Sequence, residues 1–275
     1  MAVVGHVEWV QFARVEHVPK AGEVVHASDP FEEPAGGGAV AAVQLARLAG
    51  DSTLVTALGD DLPGGHSRER LGELGVEVHS ATAELPTRRA VTLLDQEGER
   101  TIMTLGQRLD PPARLLEGVL APGRRFDGIY FTAGGPEALR LAREASTVLT
   151  ASPRAVHGLG HGVELDALIL SNRDAYEVEM ARGVEHEAKL VVRTQGSEGG
   201  TAQERGEDPW SWQSGPPPGP VVDGYGCGDS FAAGLTFGLA RGMELEAALA
   251  LAARCGAVCA TGHGPYERQL RAQDL

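Results

Sequence analysis

The sequence predicts an α/β fold in three layers: a mostly parallel central sheet between helices, with a small β-sheet set apart from it. Three observations carry this expectation. From Phe126 to Thr194, short apolar strands alternate with helical runs, as a parallel doubly wound sheet requires. Nearer the amino terminus, segments whose apolar and polar residues take turns read as half-exposed strands of a separate flap. A length of 275 residues suits one large domain, taken as 1–275, better than a string of modules.

The elements follow in order. "AVVGHV" reads as a short buried strand, and "EWVQFARVEHVPKAGEVVHAS" as alternating strands of the flap. After "EEPAGGG" comes "AVAAVQLARLAG", in which only Gln44 and Arg47 are polar, so a buried helix should open on the glycines and stop at Gly50. "STLVTALG" is a strand, "LPGGHSRERLGELG" a loop with an amphipathic helix, and "VEVHS" a strand. "RRAVTLLD" and "ERTIMTL" flank the turn "QEGE" as a hairpin that can join the flap. The small sheet, a lid over the main body, should therefore span roughly 7–34 and 86–105. "FDGIYFT", "DALILSN" and "AKLVVRT" are strands, separated by the helices "PEALRLAREAS" and "RDAYEVEMAR". The last third holds a hairpin around "GGTAQERGEDPWSWQ", the connection "SGPPPGP", and helices from about Ser230 and Glu244.

Composition excludes several classes of function. A net charge of −14 with only two lysines, Lys20 and Lys189, argues against a basic surface for nucleic acid or an anionic membrane. An anionic ligand would need a local site made of backbone amides, arginine or a metal. Cys227, Cys255 and Cys259 make an odd set without disulfide-framework spacing, and no secretory segment follows Met1. A cytoplasmic location is expected. "HGLGHG" spaces His157 and His161 poorly for one helical face, so a metal site there is not expected. Cys255 and Cys259, four apart on a helix, read as core packing.

The chemistry concentrates in "VVDGYGCGDSFAAGLTFG", Val221 to Gly238. Glycines before a helix leave its first amides free, and the helix dipole favours an anion there. Asp229 beside such an anion has two readings. It caps the helix, or it accepts a proton from a hydroxyl attacking a bound phosphate.

The same stretch resembles the carboxyl-terminal signature of the ribokinase (PfkB) family of small-molecule kinases, through Asp223, Gly226, Cys227, Gly228, Asp229 and Phe231, with cysteine where the family has alanine. "VVRTQGSEGG" is similar to the family's glycine turn at Thr194, Gly196 and Gly199, and Asn172 in "LILSNRDAYE" to its nucleotide-side asparagine. The resemblance implies a ribokinase-like fold and an ATP- and Mg²⁺-dependent phosphotransfer to a hydroxyl of a small sugar, polyol or related metabolite. It implies that Gly226, Cys227 and Gly228 form an anion hole for the γ-phosphate and that Asp229 is the base. Asn172, Thr194, Gly196, Gly199 and Gly228 would bind nucleotide, and Asp223 is a candidate ligand for a monovalent cation such as K⁺. The glycines Gly36, Gly37 and Gly38 would face the acceptor, and Glu8 either binds its hydroxyl or amine or is an exposed residue of the flap strand. A homodimer through the lid is also implied.

The sequence departs from the family at Val10 and Val40, where hydroxyl-binding residues are usual, and at Ala175 and Ala253 on the nucleotide side. Asp174 or Glu177 would have to replace the glutamate lost at Ala175. A hydrogen-bonding site discriminates strongly and valine does not, so the acceptor is not expected to bind as ribose does. No basic cluster for a sugar phosphate is evident, although Arg88, Arg89 and Arg100 on the hairpin could supply one. Alternatives are a catalytically silent relative that binds nucleotide or metabolite, or a kinase of a nucleoside or vitamin-like alcohol.

Overall fold

The computed structural model describes residues 1–96, 98–121 and 123–275. Thirteen strands and seven α-helices follow one another as β1 (Ala2–Val4), β2 (Glu8–Arg14), β3 (Ser28–Ala35), α1 (Gly37–Ala49), β4 (Ser52–Gly59), α2 (Leu62–Glu73), β5 (Val76–Ala83), β6 (Arg89–Leu94), β7 (Arg100–Leu105), α3 (Ala113–Leu120), β8 (Phe126–Phe131), α4 (Pro136–Ala145), β9 (Ser146–Ala151), β10 (Leu165–Ser171), α5 (Ala175–Arg182), β11 (Ala188–Thr194), β12 (Gly200–Glu204), β13 (Trp210–Trp212), α6 (Cys227–Ala240) and α7 (Leu245–Cys259) among the described residues. Nine strands form the main sheet in the order β13-β12-β11-β10-β9-β8-β1-β4-β5. All its pairings are parallel except those of β12 and β13.

Strand alternation splits the core into two layers. In β1, Val3 faces the layer with α1, α6 and α7, whereas Ala2 and Val4 face the layer with α3 and α4. β4 does the same, with Leu54 and Leu58 on one side and Val55 on the other. Each fully buried leucine contributes about 1.5–3 kcal/mol, and this explains why both faces of the central strands are apolar. α6 and α7 approach closely because Gly234 lies against Ala252 and Cys255, and Gly238 against Ala248. No described helix is long and apolar enough to cross a membrane.

The remaining strands form a separate four-stranded sheet, β3-β2-β6-β7. β2 pairs with β6 in parallel, joining the early flap to the hairpin. The hairpin's turn residue Glu97 lies outside the described residues. Strand structure ends at Arg14, and residues 15–27 form no strand, contrary to the alternation read there. Val15 is buried, but the rest of this segment is mostly exposed, with Val24 85% accessible, so it offers no continuous face to pair and bury as a strand. β3 forms instead through Pro30 and Pro34, which an edge strand tolerates because one side needs no amide donors.

Other elements differ from expectation in position. β9 and α3 were not expected, and α6 starts at Cys227 rather than Ser230. α2 begins at Leu62 despite two glycines, because Asp61 caps it by accepting from the Gly64 amide and a proline occupies its first turn.

Candidate active site

The carboxyl ends of β1, β8, β9, β10 and β11 share one edge of the main sheet, where open α/β folds place their ligands. Loops there are stitched by the backbone. Thr132 N donates to Val4 O (2.9 Å), Ser152 N to Phe131 O (3.1 Å) and Asn172 N to Thr194 O (2.8 Å).

α6 starts beside this edge. Its N-cap Gly226 has φ of 79°, a left-handed conformation that a side chain would strain, and no side chain caps the helix. The first helical bond runs from Ser230 N to Gly226 O, so the amides of Cys227, Gly228 and Asp229 lie ahead of the helical ladder. Space above Gly228 is open: a Cβ built there meets no atom within 4 Å. Asp229 therefore does not cap α6. It is the acidic residue in a first turn whose amides are free.

The surroundings set the charge of Asp229. Burial, with the negative Glu177 next in weight, lifts its carboxyl to about 6, against the pull of Arg154 and Arg100. Gly37, the first residue of α1, faces it directly, since a Cβ on Gly37 would lie 3.0 Å from Asp229 Oδ1 and 3.2 Å from Thr132 Oγ1. Gly38 packs on the backbone of Gly5 and His6, where a Cβ would collide at 2.6 Å. Gly36 N donates to Tyr225 Oη (3.3 Å). The three glycines thus bring α1 against the turn before α6.

Beside Gly36 lies a polar group that enters from other segments. Glu8, at the start of β2, is buried and forms an ion pair with Arg88, its Oε1 3.1 Å from Nη1. His6 is buried next to it, with Nε2 3.9 Å from Glu8 Oε1. Burial, then Arg108, Arg88 and Arg154, drive the His6 pKa down to about 3, so its ring is neutral. Burial raises the Glu8 pKa, and Arg88, Arg154 and Arg108 oppose that shift. His6 Nδ1 and Arg88 Nε are buried atoms without a hydrogen-bond partner. Two unsatisfied groups at one place require a ligand or ordered water.

This cluster corrects the reading of the basic residues. Arg88 alone of the three hairpin arginines forms an ion pair with Glu8 among the described residues. Arg89 is exposed, and Arg100 donates to Gly224 O (2.7 Å). Arg108 and Arg154 join from elsewhere: Arg108 Nη1 donates to Arg154 O (2.6 Å), and Arg154 pairs with Asp174 and Glu177. His6, Arg108, Thr132 and Arg154 were missed because each stands alone in its segment. Val10 and Val40 are fully buried and pack in the apolar core, Val40 Cγ1 lying 3.0 Å from a Cβ built on Gly226.

Across the edge, Asn172 is exposed after β10 and Thr194 ends β11, its Oγ1 donating to Leu170 O (3.4 Å). Gly196 has φ of 65°, and a Cβ on Gly199 would collide with Trp212 O. Ala175 begins α5, Asp174 caps it through the Tyr176 and Glu177 amides, and Glu177 Oε2 accepts from Ser171 N (2.7 Å). Ala253 is buried on α7. Asp223 is fully buried, its oxygens accepting from Tyr225 N (2.8 Å) and Gly264 N (3.0 Å). Among the described residues, no three His, Cys, Asp or Glu side chains are grouped to hold a metal ion.

A family model described as pfkB family carbohydrate kinase matches residues 1–112 and 164–271. The ATP-dependent ribose-1-phosphate kinase of Halopiger xanaduensis is 29% identical over 291 aligned positions, covering 94% of this chain and 91% of that one. The acarbose 7(IV)-phosphotransferase of an Actinoplanes species is 29% identical over 220 residues, covering 75% and 73%. Among solved structures, a microbiome-derived acarbose kinase superimposes with a TM-score of 0.80 at 21% identity, covering 99% of this chain and 96% of that one.

Proposed function

The chain belongs to the pfkB family of carbohydrate kinases, and on that premise we propose that it transfers the γ-phosphoryl group of ATP to a hydroxyl of a small sugar, polyol or related metabolite. The observation that carries this reading is Asp229: a carboxyl held near 6, uncapped, between the free amides of α6 and the Gly37 turn. Asp229 takes the proton of the attacking hydroxyl, and a pKa near the working pH suits a general base. The amides of Cys227 and Gly228 receive the charge that develops on the transferred group. Asn172, Thr194, Gly196 and Gly199 line the nucleotide side.

Mg²⁺ would neutralise the phosphate oxygens. Glu177 lends negative charge near Asp229, but it and Asp174 are both tied to Arg154, which fits an ion carried in on the nucleotide. Asp223, buried and without a basic partner among the described residues, fits K⁺ as its countercharge. The small sheet acts as a lid. Phe12 meets Tyr225 edge-on (4.9 Å) and Arg14 and Arg100 reach Val222 O and Gly224 O, so closure places the acceptor and excludes water at the turn that holds phosphate.

On the acceptor side, Glu8 accepts from substrate hydroxyls while Arg88 Nε and His6 Nδ1 supply the two unpaired positions. A second reading, an acceptor that already carries phosphate, is favoured by Arg88, Arg108 and Arg154 around the same spot and by the ribose-1-phosphate kinase among the relatives. The carboxylates paired to these arginines leave little net positive charge, so the neutral acceptor ranks first.

The test is acceptor-dependent ADP release over a panel of sugars, polyols, nucleosides and sugar phosphates that includes ribose 1-phosphate. Release with one class and a drop of roughly 10²- to 10⁴-fold in Asp229→Asn, with ATP binding kept, is the expected result. An Asp229→Asn enzyme that turns over at the wild-type rate refutes the base, and no release with any acceptor favours a silent binding protein.

A further inference from the structure

The cysteine that replaces alanine in the phosphate turn has a companion. Cys227 opens α6 and is partly exposed, and Cys259 ends α7 and is buried. Both sulfurs rest on one five-residue turn. Cys227 Sγ lies 3.9 Å from Asp223 O, and Cys259 Sγ lies 3.4 Å from Tyr225 O and 3.6 Å from a Cβ built on Gly226. The helices are locked together there, because Gly256 leaves room for the Cys227 carbonyl, 3.1 Å from a Cβ built on it. The two thiols therefore border the same 223–227 turn, one from the start of α6 and one from the end of α7, and Arg100 reaches that turn at Gly224 O. Cys255, four residues before Cys259, instead packs against Gly234 in the core.

We propose that Cys227 and Cys259 form a peroxide-responsive dithiol site, and that a disulfide between them distorts the Gly226–Gly228 turn and switches off nucleotide binding. The accessible Cys227 thiolate attacks one oxygen of hydrogen peroxide, the O–O bond breaks, and hydroxide leaves, giving a sulfenic acid. Cys259 sulfur then attacks Cys227 sulfur, the S–O bond breaks, and the departing hydroxide takes the Cys259 proton as water. Two thiols are oxidised by two electrons and one peroxide is reduced to two waters. A disulfide requires about 2.05 Å between sulfurs, so forming it draws Cys227 toward α7 and takes Cys259 from the Tyr225 carbonyl. Alanine at 227 could not do this. The effect on binding rests on the reading of this turn as the phosphate cradle; the bond itself does not.

The experiment treats the reduced full-length protein with hydrogen peroxide and maps it by mass spectrometry without reduction, alongside calorimetry with adenylyl imidodiphosphate and Mg²⁺. The expected product has lost two hydrogens, yields a linked peptide pair containing Cys227 and Cys259, and binds the analogue about tenfold or more weakly, the loss of one amide-to-phosphate bond. Dithiothreitol restores binding. Cys259→Ser, which keeps a donor toward Tyr225 O, stays competent after peroxide, and Cys255→Ala behaves as wild type. Oxygen added at Cys227 without the linked pair, or a linked pair with unchanged affinity, overturns the proposal. Reduced protein that fails to bind the analogue refutes the cradle reading instead, while the linked peptides still report on the bond.

Discussion

The two ends of the site are made of different material. The proposed phosphate end is backbone: free amides of α6, a left-handed Gly226, and glycine turns after β11 and before α1. The proposed acceptor end is side chain: buried Glu8 and His6 with half-buried Arg88, Arg108 and Arg154, interlocked by charge and carrying unpaired atoms at His6 Nδ1 and Arg88 Nε. Backbone geometry suits a ligand part that never varies, because amides offer the same donors whatever the sequence. Side chains suit the part that distinguishes one acceptor from another. The valines at 10 and 40 fit this division. They lie in the core, and on the proposed reading the polar contacts to the acceptor come from other segments.

Glu8→Ala tests the comparison at its strongest. Truncating one partner of a desolvated charge pair costs about 2–5 kcal/mol, here by leaving the half-buried Arg88 without its carboxylate. The expected loss in kcat/KM for the acceptor is at least about 30-fold, at 1.4 kcal/mol per tenfold, with KM for ATP unchanged. Steady-state kinetics with each substrate varied in turn measures both. If the KM for ATP rises as much as that for the acceptor, the two ends are one coupled unit and the division is wrong.

Gly226→Ala probes the other end. Alanine in the left-handed conformation costs roughly 1–2 kcal/mol, and its Cβ would press on Val40 Cγ1 at 3.0 Å. Affinity for an ATP analogue should fall roughly 5- to 30-fold by calorimetry, with the acceptor KM little changed. Val40→Ala in the same chain should recover part of the loss, because it relieves the contact but not the φ angle. Full recovery would mean that crowding, rather than the shape of the turn, governs phosphate binding.

The same division decides what could be read from the sequence. The proposed phosphate end can be put forward from the sequence because its parts stand within single stretches: Gly226 to Asp229 lie four in a row, and Thr194 to Gly199 six. What stayed open was whether Asp229 capped a helix, and only the position of Gly226 as N-cap answers that. The acceptor end comes from the segments after β1, before β6, after β7, after β8 and after β9, and no spacing links a lone His6 to a lone Arg154. The fold shows a parallel contrast. Strands bounded by glycine or charge were found, but β9 was missed because Ser146 both ends α4 and begins the strand, with no glycine or proline between. α3 is eight residues long and contains Gly118, too short a run for its periodicity to stand out.

Asp229 is where the two ends meet, and its pKa makes the meeting measurable. A base must be a carboxylate, so the competent fraction falls as pH drops through about 6, leaving about one tenth of the activity at pH 5. Stability runs the other way. Because the folded pKa stands above the ordinary 3.8, the native protein binds more protons than the unfolded chain between those values, and this group's contribution to stability is lost as pH rises through about 6. Asp229→Asn should therefore melt higher than wild type at pH 8, with the difference vanishing near pH 4, while losing turnover at both. Arg154 is the strongest positive influence on this carboxyl and also neutralises Glu177. Arg154→Gln should move the acid limb of the kcat/KM profile upward by about one pH unit. Arg88→Gln, whose partner is Glu8, should weaken acceptor binding and leave the limb in place. A limb that shifts equally in both variants would show that the titrating group belongs to the acceptor cluster rather than to the phosphate turn.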